Sequence, residues 1–370
     1  MTDSENQALS QKELLGLARE GSDIWNAWAK ENPRAIVDFS DVNFTLVENK
    51  AISFQDFVFP GEVSFHRSQF ELADFDDTKF LSGKVSFEEV RFDGNTTWFR
   101  KSQFDGELVN FESAQFGGDV FFGEAKFSNV GSFIDVEFKG YAGFGGVHFA
   151  EEAVFSGAKF HSTVLMEGAS FGSVPDFRRT NITSHFTLHD ISIAQPKNSH
   201  QFSFFSKRVI EGNVADKYRR LKELAVLAKD HDREQEFFAE EIKAKRIYET
   251  KGVALVWSYL YEWCSDFGRS TYRPFALLFW TWFVCGIGYF LAAGVIAGSP
   301  DKSLLDGFRL SAATLVPFVA VSKSALATAQ ENLFENGVPF WIDAAAFLEG
   351  IFGLAFVFLI GLALRNRFRI

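Results

Sequence analysis

Along residues 111–193 the apolar positions advance by five, then six, then five residues: Phe111, Phe116, Phe122, Phe127, Phe133, Phe138, Phe144, Phe149, Phe155, Phe160, Phe171 and Phe177. Met166, Ile182, Leu188 and Ile193 fill the places where Phe is missing. Two residues before many of them stands a small or branched apolar residue, as at Ala114, Val120, Ala125, Val136, Ala142 and Val147. A helix repeats near 3.6 residues and a strand near 2.0, so neither produces this series. A longer fixed period marks a stack of repeats, each burying its apolar face only against its neighbours. If the chain turns a corner after each step, four steps close a square coil of about 22 residues, and coils stack at about 4.8 Å, the spacing of paired strands. The Phe side chains then fill the interior, the small residues leave them room, and the intervening Asp, Glu, Lys, Ser and Gly face water.

The triplets AKF, VEF, VHF, AKF and ASF that end at Phe127, Phe138, Phe149, Phe160 and Phe171 resemble the pentapeptide-repeat family. The resemblance implies a right-handed quadrilateral β-helix. Every second unit here has one residue more than the family pattern, and that residue is expected to bulge at a corner without ending the stack. A looser series precedes this stretch from Asp38, through Phe39, Phe44, Phe54, Phe59, Phe65 and Phe70 to Phe104. Residues 95–97 in it are expected to loop out. Counted to Ile193, the repeat makes roughly seven coils, a rod of about 35 Å.

Helices are expected at both ends of the rod. Ser10 and Glu13 form a capping-box pattern, with Leu9 and Leu14 placed for a hydrophobic staple. Leu14, Leu15, Leu17 and Ala18, then Ile24, Trp25 and Trp28, supply an apolar face. This face reads as a lid on the first coil, whose edge would otherwise be open; a partner-binding helix is the other reading. After Ile193 the pattern breaks at Pro196. Two amphipathic helices follow, with Asn213 and Asp232 as candidate N-caps. The first carries Tyr218, Leu221, Leu224 and Ala225, and the second Phe237, Phe238 and Ile242.

The last third of the chain changes character. Residues 251–270 are rich in Trp and Tyr, which suits a helix at a membrane surface. Residues 275–297 carry no charge and are long enough to span a bilayer. Residues 342–364 form a second candidate span, interrupted by Asp343 and Glu349. Between them, residues 310–321 are apolar but too short to span, and fit a re-entrant segment. The fold expected is therefore mainly β: a right-handed quadrilateral β-helix with helical caps, followed by an α-helical two-pass transmembrane domain with a re-entrant segment. The expected divisions are 1–36, 37–193, 194–272 and 273–370.

Charge fixes an orientation. Arg269 and Arg273 precede the first span, and Arg365 and Arg367 follow the second. By the positive-inside rule both termini then face the cytoplasm, as expected of a bacterial inner-membrane protein, with Trp341 as an anchor at the far surface. Residues 1–30 lack the apolar core of a secretory signal, and Cys264 and Cys285 are too few and too distant for a disulfide framework. The formal charge is −11, and residues 38–190 hold roughly twice as many acidic as basic groups. An acidic rod argues against nucleic-acid binding and offers a face to a cytoplasmic protein partner.

No motif of an enzyme, and none for a cofactor, is legible. His185 and His189 fall in the repeat, as surface residues or, less simply, as metal ligands. Glu349, about 10 Å along its helix from Trp341, reads either as one of a ring of carboxylates attracting cations in an oligomer or as a group close enough to the surface to be hydrated. The sequences SDFGRSTYRP and FRLSAATLVPF resemble bacterial membrane proteins that join pentapeptide repeats to an ion-channel-like pair of helices. That resemblance implies a pore helix at residues 308–315 and a filter region at 316–322, with Ser311, Thr314, Pro317 and Ser322 as candidates beside Glu349. The Thr-Val-Gly-Tyr-Gly of potassium channels is missing, so their selectivity is not implied. Two spans cannot enclose a pore, so this reading requires a homo-oligomer in membrane lipid, a tetramer first. A membrane-tethered scaffold without conductance is the alternative. Duplex mimicry, which lets some pentapeptide-repeat proteins bind topoisomerases, is a third.

Overall fold

In the computed structural model, which describes residues 9–45, 52–194, 213–297, 303–315, 320–334 and 337–368, the five-and-six step becomes a square β-solenoid of about 7 turns. Each complete inner turn contributes one short strand to each of four parallel sheets, which among the described residues hold six, six, six and seven strands. Numbered in the order the chain visits them, the first sheet runs from Val37–Asp38 to Ala153–Val154 and the second from Gln69–Phe70 to Asn181–Ile182. The third runs from Ala73–Asp74 to Phe186–Thr187, and the fourth from Val58–Phe59 to Ser192–Ile193. Phe116 pairs with Phe138, and Phe138 with Phe160, which is the 22-residue turn the period predicts.

The register stacks like on like. Phe138 and Phe160 lie 4.7 Å apart between ring centroids with planes inclined by 1°. Such parallel rings, at a separation above the roughly 3.5 Å contact distance of carbon, are offset rather than eclipsed, as their quadrupoles prefer. Between neighbouring columns the rings meet edge to face, as do Phe99 and Phe111 at 5.5 Å and 90°. A ring inside the stack, such as Phe122, is thus held by parallel neighbours above and below and by perpendicular or tilted ones beside it. The small position two residues earlier is buried as well, and at three polar examples the hydroxyl is satisfied. Ser68, Thr78 and Ser102 donate to the carbonyls of Phe39, Phe54 and Phe75 at 2.7–2.8 Å.

Two kinds of corner alternate. After the first and third sheets the five-residue step makes a tight turn, in which Ala114 N–H bonds Phe111 O at 2.9 Å and Ser113 takes φ 59°. That is a turn with a left-handed third residue. Here Asp, Glu, Arg, Lys and Ser occupy it in most turns, and glycine at Gly146, Gly157 and Gly168. The extra residue of the six-residue steps widens the other corners, and the strands on either side stay paired, as expected. Residues 95–97 do not loop out: Thr96–Trp98 is a strand of the third sheet, with Thr97 buried at the small interior position.

Helices close both ends. Helices α1 (Gln11–Arg19) and α2 (Ser22–Glu31) cover the first turn, and the capping box at Ser10 and Glu13 forms. Trp25 is fully buried against Phe57 and Phe59, and its indole N–H donates to Val58 O at 2.9 Å. Leu9 and Ile24 remain exposed, so the staple and part of the expected apolar face are not used. At the other end, α3 (Val214–Leu227) and α4 (His231–Tyr248) meet through Arg219 and Lys222, both bonded to the buried Glu241. Arg220 and Arg233 satisfy the last turn by donating to Thr180 O and Ile191 O, each at 2.7 Å. Asn213 stands at the N-cap of α3 without a side-chain capping bond. Asp230, not Asp232, caps α4 by accepting the Arg233 N–H.

The chain forms two compact units, residues 1–244 and 245–370. The second holds α5 (Val253–Ser265), α6 (Tyr272–Ala297), α7 (Leu304–Leu315), α8 (Ala320–Leu333) and α9 (Phe340–Arg367). Helices α6 and α9 are long and apolar enough to cross a membrane.

Because each ring touches rings of the turns above and below, Phe138→Ala is expected to cost about 3–5 kcal/mol, measured by denaturant unfolding of the solenoid. A second expectation concerns pH. Burial would raise the Asp176 carboxyl, but the hydrogen bonds from Arg178 outweigh it and hold the group below the ordinary 3.8. A depressed carboxylate stabilises the fold above its unfolded value and loses that contribution as pH falls below it. Asp176→Asn is therefore expected to lower stability at neutral pH by about 1–2 kcal/mol. In thermal scans at successive pH values, its gap from the unmodified chain should close below 3.8.

Candidate functional site: a buried carboxylate among three helices

Helices α6 and α9 are apolar on nearly all sides, so packing there is decided by small residues. Helix α7 approaches α6 at Gly286 and Gly307: a Cβ at Gly286 would stand 2.4 Å from the Phe308 ring, and one at Gly307 would stand 2.5 Å from Gly286 O. It approaches α9 at Gly353, where a Cβ would stand 2.4 Å from Leu315 O. Trp282 completes the α6–α7 contact, its ring 4.9 Å from that of Phe308 and its N–H bonded to Phe308 O at 3.1 Å. Gly294 and Gly361 have open space around them and do not serve as contacts, and Gly350 comes only to ordinary distance of Thr314 O.

At the centre of this packing lies Glu349, only 2% exposed. Its Oε2 accepts from the Tyr289 hydroxyl of α6 at 2.6 Å, and its Oε1 accepts from the Ser311 hydroxyl of α7. Ser311 Oγ also lies 3.1 Å from Trp282 O, and the Cys285 thiol faces the same carboxylate. A carboxylate offers acceptors only, and burying one is costly unless donors meet it. Here two donors come from two different helices, so one side chain ties α6, α7 and α9 together. Both expectations for Glu349 placed it against water; the structure places it inside the packing of one chain.

The other candidates separate. Ser311 joins Glu349. Thr314 is half-buried and donates to Leu310 O of its own helix at 2.8 Å. Pro317 lies outside the described residues, and Ser322 falls in α8, where its side chain is likewise not described. The expected pore helix begins earlier, at Leu304, and α8 replaces the last part of the expected filter region, because residues 320–333 continue as helix. Tyr289, Gly286 and Gly307 were not legible as site residues. Tyr289 is one aromatic among many in its helix, and only packing distinguishes the two glycines from Gly294.

The two long helices run antiparallel. Asn366, at the end of α9, donates to Gly268 O, just before α6, at 3.3 Å. Arg269, Arg273, Arg365 and Arg367 therefore cluster at one end, all exposed, while Trp341 is 55% exposed at the other. Arg246 is the anchor the sequence did not reveal. Its side chain bonds Ser258 O at 2.6 Å, pairs with Glu262, and lies over the Tyr259 ring at 4.3 Å. The outer surfaces of the spans are apolar, with Phe279, Val284 and Leu291 exposed on α6, and Phe347, Ile351 and Phe358 on α9.

A solenoid whose interior is a ladder of Phe and small residues, joined in one chain to two helices apolar enough to span, defines the class of protein. Residues 111–158 match the family model of the pentapeptide repeats (9 copies). The first unit is a parallel β-solenoid, and residues 111–158 within it carry the pentapeptide repeats. No curated protein and no solved structure gives a significant match to the chain.

Close packing at Gly353 predicts that Gly353→Ala costs about 1–3 kcal/mol, whereas Gly361→Ala, in open space, leaves stability unchanged; thermal unfolding in detergent compares them. The Glu349 bonds predict that Tyr289→Phe and Ser311→Ala each destabilise by about 1–3 kcal/mol. In Glu349→Leu, which removes their common acceptor, the cost of each substitution is expected to shrink in a double-mutant cycle.

Proposed function

We propose that the helical unit is an ion-channel-like membrane module, assembled as a homo-oligomer, with a tetramer the first expectation. One observation carries the reading: a helix too short to span, α7, is wedged between two long apolar helices and fixed to both by Gly286, Gly307, Gly353 and Glu349. A pore helix held between two spans needs that layout, because the backbone that follows it can line a cavity only if the short helix is rigidly placed. The apolar outer faces of α6 and α9 suit lipid and neighbouring copies. The arginine cluster at one end favours that end as the cytoplasmic side of a bacterial inner membrane. The solenoid then lies in the cytoplasm, where it serves assembly, gating or partner binding.

One observation favours the alternative of a tethered scaffold. The outward residues of α9, including Phe347, Ile351 and Phe358, are apolar, and its one central carboxylate is turned into the chain. A pore would then have to be lined without α9, by residues of the shorter helices.

The full-length protein in planar bilayers is expected to give discrete conductance, altered in gating by Glu349→Gln, which keeps the size of the side chain and weakens the bonds from Tyr289 and Ser311 that fix α7. A protein that stays silent across voltage, pH and membrane tension contradicts the channel reading and leaves the scaffold.

A further inference from the structure

The outward residues of the solenoid differ from face to face. On the second sheet they are polar at every strand, Gln69, Arg91, Gln115, Glu137, Lys159 and Asn181. On the fourth they are Lys79, Gln103, Lys126, His148, Ser170 and Ser192 after Val58. The third sheet departs from this. Trp98, Phe121, Gly143 and Leu165 stand in register on four consecutive turns, while their inward neighbours Thr97, Val120, Ala142 and Val164 fill the interior. Gly143 is no gap in the row. A Cβ there would meet the Tyr141 ring at 2.8 Å, so that ring lies over the glycine, with its centroid 5.4 Å from that of Phe121. Trp98, Phe121, Tyr141 and Leu165 are all half-buried, and form a continuous apolar stripe about 15 Å long by the strand spacing.

The stripe has an acidic border. Asp74 precedes it on the same sheet, and Asp77, Asp119, Glu124 and Glu167 stand at its corners. Partial burial, and then the charges of Asp119 and Glu167, hold the Tyr141 hydroxyl above its ordinary range, which puts both carboxylates within electrostatic reach of the row. Of the basic residues alongside, Arg100 is bound by Asp76, and Lys101 and Lys139 remain. Interior packing does not call for these outward aromatics, since the second and fourth faces do without such a row.

We propose that this face of the solenoid is a docking surface for an extended protein segment that alternates basic with aromatic or aliphatic side chains. Its apolar residues would lie on Trp98, Phe121, Tyr141 and Leu165, and its cations would meet Asp74, Asp119, Glu124 and Glu167. A second copy of the chain is a poorer occupant, because it would bring the same acidic border against itself. The inference does not depend on whether the helical unit conducts.

The test uses detergent-purified full-length protein and a fluorescent peptide of alternating Lys and Phe, read by anisotropy. Binding is expected, weaker with added salt, and reduced about tenfold or more by Trp98→Thr with Phe121→Thr. Threonine already occupies the outward position at Thr187 of the same sheet, and unchanged thermal unfolding shows that the variant is folded. Gln103→Ser with Gln115→Ser, on the other faces, is expected to leave binding unchanged. Three results overturn the proposal: equal binding by the Trp98/Phe121 variant, equal binding of a peptide with Glu in place of Lys, or a variant whose only effect is to change the native mass of the protein, which assigns the face to self-association.

Discussion

The solenoid rests on one constraint: a phenylalanine ring every fifth or sixth residue must land on the ring of the turn below. Strand pairing sets the rise, and ring stacking sets the register. A slip by one residue would turn Phe138 outward and a charged neighbour inward. The polar corners follow from this. Left-handed conformations at residues such as Asp77, Glu89 and Lys101 are unfavourable in isolation, yet each is fixed between two strands whose rings are already stacked. The caps follow as well, because a stack has two open ends. Trp25 supplies one more aromatic layer at the start, and Arg220 and Arg233 satisfy carbonyls at the finish.

The helical unit solves a different problem with different means. Its two long helices, α6 and α9, are apolar nearly all round, so the hydrophobic effect alone does not choose which faces meet. Glycines at 286, 307 and 353 decide where backbones come close, and Glu349 decides how three helices are clamped, since its two oxygens need two donors that only α6 and α7 supply. Removing the carboxylate leaves the buried Tyr289 hydroxyl without its acceptor and Ser311 with Trp282 O alone, so the clamp is specific as well as strong.

These two solutions explain what was legible in the sequence. The period of the solenoid is written in the order of residues, so its cross-section, turn length and register could be read directly. Both spans were legible from length and apolarity, and the capping box from Ser10 and Glu13. The clamp was half legible. Glu349 stood out as a charge in an apolar run and Ser311 lay in the intervening loop, but nothing in the chain order joins them to each other or to Tyr289. Helix α8 went unread because its stretch, AVSKSALATAQENL, mixes polar and apolar residues without a clear face. The aromatic stripe was missed for another reason. Its members are about 22 residues apart and become neighbours only when every fourth unit is compared.

The channel-like reading of the helical unit stands or falls on assembly, since one chain contributes two spans and cannot enclose a pore. Native mass spectrometry of the full-length protein released from detergent measures this directly. The account predicts a single discrete oligomer, a tetramer first, that is retained when the outward aromatics of the third sheet are replaced. A monomer, or a dimer that dissociates on those replacements, would contradict it.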